Sequence, residues 1–386
     1  MKPWRLNDSN FTWLDRLKIC GFFLNKKNFW TMKGQVSLFE KRMREYVGSK
    51  HAVFVSSGSA ANTLLAMYLK DNGVGRKKII FPSTTWTTSV GPFIREGFEP
   101  VFIDISLKDF CMDLDKLEEY LNDHSSGDIE CVFITSLIGF VPDIERLTSI
   151  EKKFNVRIMM DNCENMFGKF AGKNVSSFFT STASTYFGHQ IQSIEGGFIF
   201  TNSDLEYEYF LMARNHGMTR SVENPEKYRN LDVDPLFDFH FLGSNFRNTD
   251  VNAFIGQLDF DRRGDLKARR EHLFSLFFDV VGEWGGRREL CSGKIEHSPF
   301  CIPILCSGEE EAGRIKEYCL LHEIETRPII SGNLLRQTCY KQYSSADGFP
   351  NSDYLHKCCF YVGLHYNVTE KGITEFAKFI SLIKEK

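Results

Sequence analysis

Short apolar runs alternate with amphipathic segments between residues 51 and about 215, and this alternation constrains the fold most. Five runs are predicted to be buried strands: HAVFVSS (51–57), KIIFPS (78–83), EPVFIDI (99–105), ECVFITS (130–136) and VRIMMDN (156–162). Segments with helical periodicity, such as LDKLEEYLND and DIERLTSIEKKF, separate several of them. Strands that alternate with helices imply crossover connections. We therefore predict an α/β fold with a mostly parallel central sheet and helices on both faces.

The second part of the chain has a different organisation. Two further strand candidates, STASTYF and GGFIFTN, precede a helical segment, and the polar residues 220–250 suggest a long ordered loop. Beyond residue 250 the runs FCIPILC, EEEAGRIKEYCLLHE and TEFAKFISLIKEK predict a strand and two helices. We expect two domains: an N-terminal arm with a large cofactor-binding domain over 1–250, and a smaller α+β domain over 251–386.

The composition is that of a globular protein and excludes several classes. Of the 386 residues 42% are hydrophobic, and the formal net charge of −3 provides no overall basic field for nucleic acid. No apolar run reaches the ~20 residues of a membrane-spanning helix. The N-terminus is too polar for a signal peptide. The eleven cysteines follow no disulfide pattern, which predicts free thiols and a cytoplasmic location.

The first candidate motif is SSGSAAN (56–62), between a predicted strand and a predicted helix. Small residues let a phosphate approach the backbone, and a helix N-terminus offers unpaired N–H groups and the positive end of the helix dipole. Hydroxyls of Ser57 and Ser59 could add hydrogen bonds. An ordinary helix cap would explain the same residues, since this is not a Walker sequence.

The second motif is DNCE (161–164), at the end of an apolar strand. Acidic groups at the carboxyl end of a parallel strand lie where ligands bind in open α/β sheets. A carboxylate there could pair with a protonated heterocyclic nitrogen. Helix capping is the alternative, but it would need only one of the two acids.

The third motif is STYFGHQ (184–190), which leads into Glu195-Gly196-Gly197. A lone histidine is more often structural or solvated than catalytic. His189 gains weight from its place in a turn of small residues between two strands, downstream of the other two motifs.

Together the motifs resemble the DegT/DnrJ/EryC1/StrS sugar aminotransferase/dehydratase family of fold-type I pyridoxal phosphate (PLP) enzymes. The resemblance runs in order over nearly the whole chain. It includes the segments MKG (32–34), SSGSAAN, STTWTTS, DNCEN, EGG, RNHGMTR (214–220), GSNFRNTD (243–250) and RPIISGNLLRQ (327–337). The implied fold is aminotransferase-like.

The resemblance assigns the cofactor contacts residue by residue. Gly58, Ser59 and Ser184 would bind the phosphate, and Trp86 would stack on the pyridine ring. Asp161 would pair with the ring nitrogen and keep it protonated, so that the ring can act as an electron sink.

The remaining roles concern the ring hydroxyl, the partner subunit and the substrate. Glu164 would lie beside the ring near its hydroxyl. Asn245 would reach the cofactor phosphate of the neighbouring subunit, which implies a homodimer with shared active sites. Arg220, Arg327 and Asn333 would contact a nucleotide-sugar, although a surface salt bridge would also explain Arg220.

One position departs from the aminotransferase pattern. Those enzymes carry a lysine six residues before the glutamate of the EGG segment, where it binds the cofactor covalently, and this chain has His189. No lysine lies between Lys173 and Lys227, so a small shift in register cannot restore one. An imidazole cannot form that bond. With an ordinary pKa of ~6.5, it can act as a general base.

With histidine at this position, the chain resembles the 3-dehydratases that make 3,6-dideoxyhexoses for lipopolysaccharide O-antigens. The resemblance implies pyridoxamine phosphate (PMP) as the resting cofactor, a nucleotide-linked 4-keto-6-deoxyhexose as substrate, and glutamate as amino donor. One branch needs an iron–sulfur cluster, which normally takes four cysteines. In that branch most of these cysteines come from the region between the histidine and the second domain, and this chain has no cysteine between Cys163 and Cys291. We therefore expect the cluster-free branch, whose substrate is GDP-4-keto-6-deoxymannose.

Two alternatives stay open from the sequence. The first is a nucleotide-sugar aminotransferase in which a histidine replaces the lysine, naturally or by engineering. The second is a noncatalytic nucleotide-sugar binding protein on the same fold. A binder of sugar alone would have no evident use for an acid such as Asp161 at the pyridine nitrogen.

Overall fold

The computed structural model describes residues 3–282, 291–344 and 348–384. Its helices, in chain order, are α1 (Trp13–Leu24), α2 (Gly34–Val47), α3 (Gly58–Asn72), α4 (Thr87–Arg95), α5 (Leu114–Asp123), α6 (Ile144–Phe154), α7 (Asp204–Ala213), α8 (Asp250–Asp261), α9 (Arg263–Val281), α10 (Glu309–Leu321), α11 (Pro350–Cys358) and α12 (Glu370–Lys384).

The strands of these residues form three sheets. In chain order they are β1 (His51–Val55), β2 (Lys78–Pro82), β3 (Glu99–Ile103), β4 (Ile129–Thr135), β5 (Arg157–Asp161), β6 (Lys169–Phe170), β7 (Lys173–Asn174), β8 (Thr180–Ser184), β9 (Gly197–Thr201), β10 (Cys291–Ser292), β11 (Ile295–Glu296), β12 (Cys301–Leu305), β13 (Thr326–Pro328) and β14 (Cys359–Gly363).

The largest sheet has the order β1-β9-β8-β5-β4-β2-β3. The pairs from β8 to β3 are parallel, and β9 is antiparallel to both β1 and β8. β4 is buried along its whole length, as expected for a strand covered on both faces. The predicted α/β fold with a mostly parallel sheet is therefore confirmed.

The helices begin where short polar side chains can cap them. The Ser57 side chain accepts a hydrogen bond from the backbone N–H of Ala60 at the start of α3. Asp113 and Asp143 cap α5 and α6 in the same way. Such caps satisfy N–H groups that have no partner within the helix. Because Ser57 caps α3, the first turn of this helix lies at the edge of the sheet where the parallel strands end.

A smaller antiparallel sheet follows in the order β12-β14-β13, with α9, α10 and α12 beside it. The first described residues belong to this region as well. Trp4 bridges to Ile324 and donates its indole N–H to the carbonyl of Gly363 at 2.8 Å. The start and the end of the chain thus pack together. The proposed boundary at residue 250 stays a prediction.

The predicted strands of the large sheet agree with the structure to within about two residues in most cases. The sequence patterns left the helices α1, α2, α4 and α11 unassigned, together with the strands β6, β7, β10, β11, β13 and β14. Between α7 and α8 the chain forms only three-residue turns and isolated bridges. Among the described residues, no helix has both the length and the hydropathy needed to cross a membrane.

Candidate active site

A cavity of about 510 Å³ opens where the parallel strands of the large sheet end. Thr135, Asp161 and Ser184 are the last residues of β4, β5 and β8, and all three line it. Ligands bind at this edge of open α/β sheets because the strand ends and helix N-termini converge there. Of the predicted site residues, the cavity collects Gly58, Ser59, Trp86, Asp161, Glu164, Ser184, His189 and Arg327.

The first turn of α3 forms one corner of this cavity. A Cβ on Gly58 would lie 2.6 Å from Cys163 Sγ, so a side chain there would collide with the neighbouring wall. A Cβ on Gly197 would lie 2.4 Å from the carbonyl carbon of Ser57. Glycines at both positions let β9 and α3 approach closely. The exposed N–H groups and the positive helix end suit an anion such as a phosphate.

Hydroxyl groups surround the same corner. Ser59 Oγ lies 2.8 Å from Thr88 Oγ1, and Ser184 Oγ accepts a hydrogen bond from the N–H of Tyr186 at 3.1 Å. Trp86 directly precedes α4 and is 54% exposed although it lines the cavity. A large indole left open at the mouth provides a flat apolar surface for a ring.

Asp161 is the buried carboxylate in the middle of the cavity wall. Its Oδ2 accepts hydrogen bonds from Asn62 Nδ2 at 2.8 Å and from Ser89 Oγ at 2.6 Å. Its Oδ1 accepts from the backbone N–H of Cys163 at 3.0 Å. Three donors hold the carboxylate in one orientation. The arrangement can pair with a cationic nitrogen on a ligand.

Glu164 has the opposite electrostatic character. Burial raises the pKa of its carboxyl to about 8, against a stabilising hydrogen bond from the N–H of Ile138 at 2.7 Å. The negative charge of Asp161 adds to this increase in pKa. Near neutral pH the group therefore holds a proton that it can donate in a hydrogen bond.

His189 lies between the aromatic rings of Tyr186 and Phe300, with ring centroids 5.6 and 5.9 Å away. Its backbone N–H donates to the carbonyl of Tyr186 at 2.9 Å, which fixes the turn. Burial lowers the pKa of the imidazole to about 4; Asp161 opposes this and the Arg270 cation reinforces it. The imidazole is therefore neutral at physiological pH and available as a proton acceptor.

No lysine is among the described residues that line the cavity. The position that resembles the lysine of aminotransferases is filled by His189, beside Asp161 and Glu164. The cavity can therefore bind a cofactor through the first turn of α3 and through Asp161, but its described lining residues offer no primary amine for a covalent bond.

Arg327 lines the mouth of the cavity from β13. It is paired across the small sheet with Tyr361, and its guanidinium acts electrostatically on the Tyr361 hydroxyl. Burial raises the pKa of Tyr361, so the phenol stays protonated. A cation held at an open mouth can contact an anionic part of a substrate.

Three predicted substrate or partner contacts lie outside this cavity. Asn333 is buried and caps a short turn, with its amide Nδ2 donating to Asp353 at 2.7 Å and its Oδ1 accepting from Leu335. Arg220 is exposed and lies over the ring of Phe237 at 5.5 Å. Asn245 is also exposed. Their predicted roles stay predictions.

Sequence reasoning missed several lining residues. Asn7, Phe300 and Tyr361 come from the N-terminal segment and the small sheet, and none belongs to a recognisable motif. Asn62 and Ser89, which hold Asp161, stand within quoted motifs but received no role. Their positions could have indicated a role, because Asn62 lies one helical turn into α3 and Ser89 lies in the first turn of α4.

A model of the DegT/DnrJ/EryC1/StrS aminotransferase family matches residues 23–381. The chain is 30% identical over 361 residues to a GDP-4-keto-6-deoxy-D-mannose 3-dehydratase of Yersinia pseudotuberculosis, covering 88% of each chain. It is 29% identical over 380 residues to the protein of the same name from Escherichia coli O55:H7, covering 92% of this chain and 94% of the relative.

A solved structure has the same fold. E. coli GDP-4-keto-6-deoxy-D-mannose-3-dehydratase with bound hydrated PLP superposes with a TM-score of 0.88 at 24% identity, covering 98% of this chain and 99% of that one. The likeness confirms the predicted aminotransferase-like fold class. Because the family model spans almost the entire sequence, this protein belongs to the DegT/DnrJ/EryC1/StrS aminotransferase family.

Proposed function

We propose that this chain is a PLP/PMP-dependent 3-dehydratase that removes the C3 hydroxyl of a nucleotide-linked 4-keto-6-deoxyhexose, with GDP-4-keto-6-deoxymannose as substrate. The observation that carries the proposal is His189, a neutral imidazole in the cavity where the family's aminotransferases carry a lysine. The names of the two relatives support the same reaction and substrate.

The cavity fits the cofactor in its noncovalent form. Gly58, Ser59 and Ser184 would hold the phosphate at the start of α3, where a Cβ on Gly58 would collide with Cys163. Asp161 would pair with the ring nitrogen. Trp86 would cover the ring at the open mouth of the cavity.

Held by these residues, the cofactor in its amine form would supply a conjugated ring that accepts the electrons released by proton removal. His189 would accept that proton, because burial keeps it neutral. Glu164, protonated near neutral pH, would donate a hydrogen bond beside the ring. Arg327 would contact the nucleotide-sugar at the mouth. Glutamate would restore the amine form after each turnover.

The test is the mass of the product. The purified protein is incubated with PMP, glutamate and GDP-4-keto-6-deoxymannose without any reductase, with His189→Asn as the matched control. The proposal expects a sugar lighter by one oxygen, formed by the wild type only. An aminated sugar would instead show an aminotransferase, and unchanged sugar that remains bound would show a binding protein.

We also propose a homodimer in which Asn245 completes the partner's site. Asn245 is exposed and outside the cavity of its own chain. Apolar side chains are exposed on α1 and the segment after it, and again in the loop before α8: Trp13 is 71%, Leu24 81%, Trp30 60% and Leu242 95% exposed. Apolar surface of this extent typically marks a protein interface.

Subunit mixing tests the shared site. Variants His189→Asn and Asn245→Ala should each be inactive alone, and mixed dimers should regain activity because one of their two sites combines intact residues. A monomer by analytical ultracentrifugation, or no recovery on mixing, would contradict the shared site.

A cytoplasmic location belongs to the same proposal and is supported by the ten described cysteines, all free thiols.

A further inference from the structure

A second, much smaller cavity adjoins the active-site cavity at His189. Its volume, about 10 Å³ for a water-sized sphere, is close to the minimum that one water molecule requires. Its inner surface is formed mainly by polar atoms, and its lining residues include Asn10, His189 and Arg270. A polar cavity of this size suits a single ordered water molecule and no larger ligand.

Two of the residues that line this cavity each have a buried polar atom with no hydrogen-bond partner among the described residues. They are Nδ1 of His189 and Oδ1 of Asn10. Asn10 is only 9% exposed, so bulk water does not solvate its carbonyl oxygen. Buried polar groups are almost always hydrogen-bonded, to protein or to ordered water. One molecule that bonds both atoms would satisfy them together.

The neighbours of Asn10 fix which end of its amide faces the cavity. Its Nδ2 donates to Asp259 Oδ2 at 3.5 Å, and its backbone carbonyl accepts from Arg262 at 2.6 Å. Asp259 is held in turn by the N–H of Gln192 at 3.0 Å. With the donor end directed to a carboxylate, the acceptor end of the amide is left for the cavity.

We propose that Asn10 is a positioning residue for His189, acting through one ordered water molecule in this small cavity. The water accepts the Nδ1–H of His189 and donates to Asn10 Oδ1. The neutral imidazole then carries its proton on Nδ1 and its lone pair on Nε2. This inference rests on the proposed role of His189 as the base, because only the Nε2 lone pair is left to accept a proton.

The other groups around His189 are compatible with this tautomer. The charge of Asp161 raises the pKa of His189, and the charge of the Arg270 guanidinium lowers it. Arg270 directs its own N–H groups to the carbonyls of Leu364 and Gln190. Asp8 and His365 line the same cavity; His365 bonds the carbonyl of Arg5 and the N–H of Asn367.

The test reads the tautomer directly and needs no substrate. The protein is labelled with ¹⁵N-histidine, and the His189 signals are assigned by their loss in His189→Gln. The ¹⁵N shifts show which ring nitrogen carries the proton. We expect Nδ1–H in the wild type, and a mixture of tautomers in Asn10→Leu, which keeps the side-chain size but removes the acceptor. A crystal structure of the wild type should show the bridging water.

Asn367→Ala is the matched control. Asn367 donates to Asp8 and to the carbonyl of Ser9 and does not itself line the small cavity, so its loss loosens the same N-terminal segment while Asn10 and His189 both stay in place. It should leave the tautomer unchanged, whereas Asn10→Leu should also lower kcat about 10- to 100-fold with little change in KM.

An Nε2–H tautomer in the wild type would overturn the proposal, as would an unchanged tautomer in a folded Asn10→Leu. If that variant fails to fold, the wild-type tautomer and the crystallographic water still decide. A failed product assay combined with an Nδ1–H tautomer that depends on Asn10 would refute the dehydratase and leave the water bridge standing.

Discussion

The two sides of the cavity are built in different ways. The floor, which we define as Gly58, Asp161, Glu164, Ser184 and His189, comes from the large sheet and the segments at its edge, and Asp161 is held there by three hydrogen bonds. The rim, which we define as Asn7, Phe300, Arg327 and Tyr361, comes from the N-terminal segment and the small sheet. Arg327 on the rim is exposed, whereas Asp161 on the floor is buried.

This difference separates two tasks. Rigid, desolvated groups provide electrostatic stabilisation because they need no rearrangement during the reaction. Arg327, which is exposed on a separate sheet, can vary without disturbing that arrangement. We therefore expect substitutions in the floor to lower kcat and substitutions in the rim to raise KM.

The largest effect should come from the floor residue His189. His189→Asn removes the proposed base and should lower kcat for dehydration by about 10²- to 10⁴-fold, because general-base catalysis contributes that much. Steady-state assays of the nucleotide-sugar product measure it. The control is His124→Asn, an exposed histidine after α5, which should keep full activity. Dehydration at the wild-type rate in His189→Asn would show that another group is the base.

A second floor residue should give a somewhat smaller loss. Asp161→Asn keeps the size of the side chain but removes its charge, so the ring nitrogen would no longer be held in its protonated form. We expect kcat to fall by about 100-fold or more. The exposed Asp232 supplies the control Asp232→Asn. Equal kcat values for the two variants would contradict the assignment of Asp161.

The rim should respond differently. Arg327→Met removes a cation at the mouth and should raise KM for the nucleotide-sugar by about 10- to 100-fold, the usual cost of a lost charged hydrogen bond, with kcat nearly unchanged. Arg314→Met, on the exposed side of α10, is the control. A fall in kcat with constant KM would show that Arg327 acts like a floor residue, and it would contradict the proposed difference between floor and rim.

The last prediction concerns stability rather than catalysis, at the floor residue Glu164. Its folded pKa of about 8 exceeds the ordinary value of 4.5, so between these values the folded protein binds more protons than the unfolded chain. Its contribution to the free energy of unfolding therefore decreases as pH rises from 4.5 to 8. Glu164→Gln should remove this dependence, a change of up to about 5 kcal/mol for the full difference between the two pKa values.

Denaturant titrations of the cofactor-free protein at several pH values measure this dependence. His189 provides a contrast of opposite sign. Its pKa of about 4 lies below the ordinary 6.5, so the unfolded chain binds more protons and stability increases with pH over that interval. Parallel pH profiles for wild type and Glu164→Gln would contradict the raised pKa of Glu164.

The floor could largely be predicted from the sequence, because each of its motifs is contiguous. Strand β5 ends at Asp161 and β8 at Ser184, close to where their apolar runs end, and small residues mark the start of α3. The histidine in place of lysine is likewise a local feature. Burial, hydrogen bonds and pKa shifts at these positions depended on neighbours from other strands.

The rim could not be predicted in this way. Tyr361 faces Arg327 only because β13 and β14 pair, and Asn7 reaches the cavity only because Trp4 anchors the N-terminal segment to Gly363. These contacts join residues up to 359 positions apart along the chain. No local pattern encodes such a contact. Asn333 donates a hydrogen bond to Asp353, and its predicted role as a substrate contact stays a prediction.

The sequence by itself determined the α/β class, the order of the central strands along the chain and the identity of the groups at their ends. Periodicity and short motifs determine these, since both act over a few residues. Only the tertiary structure decided that Glu164 holds a proton while His189 does not, and that Asn10 lies behind His189. Proton affinity depends on desolvation and on charges brought together from distant segments, and both arise only when the chain is packed.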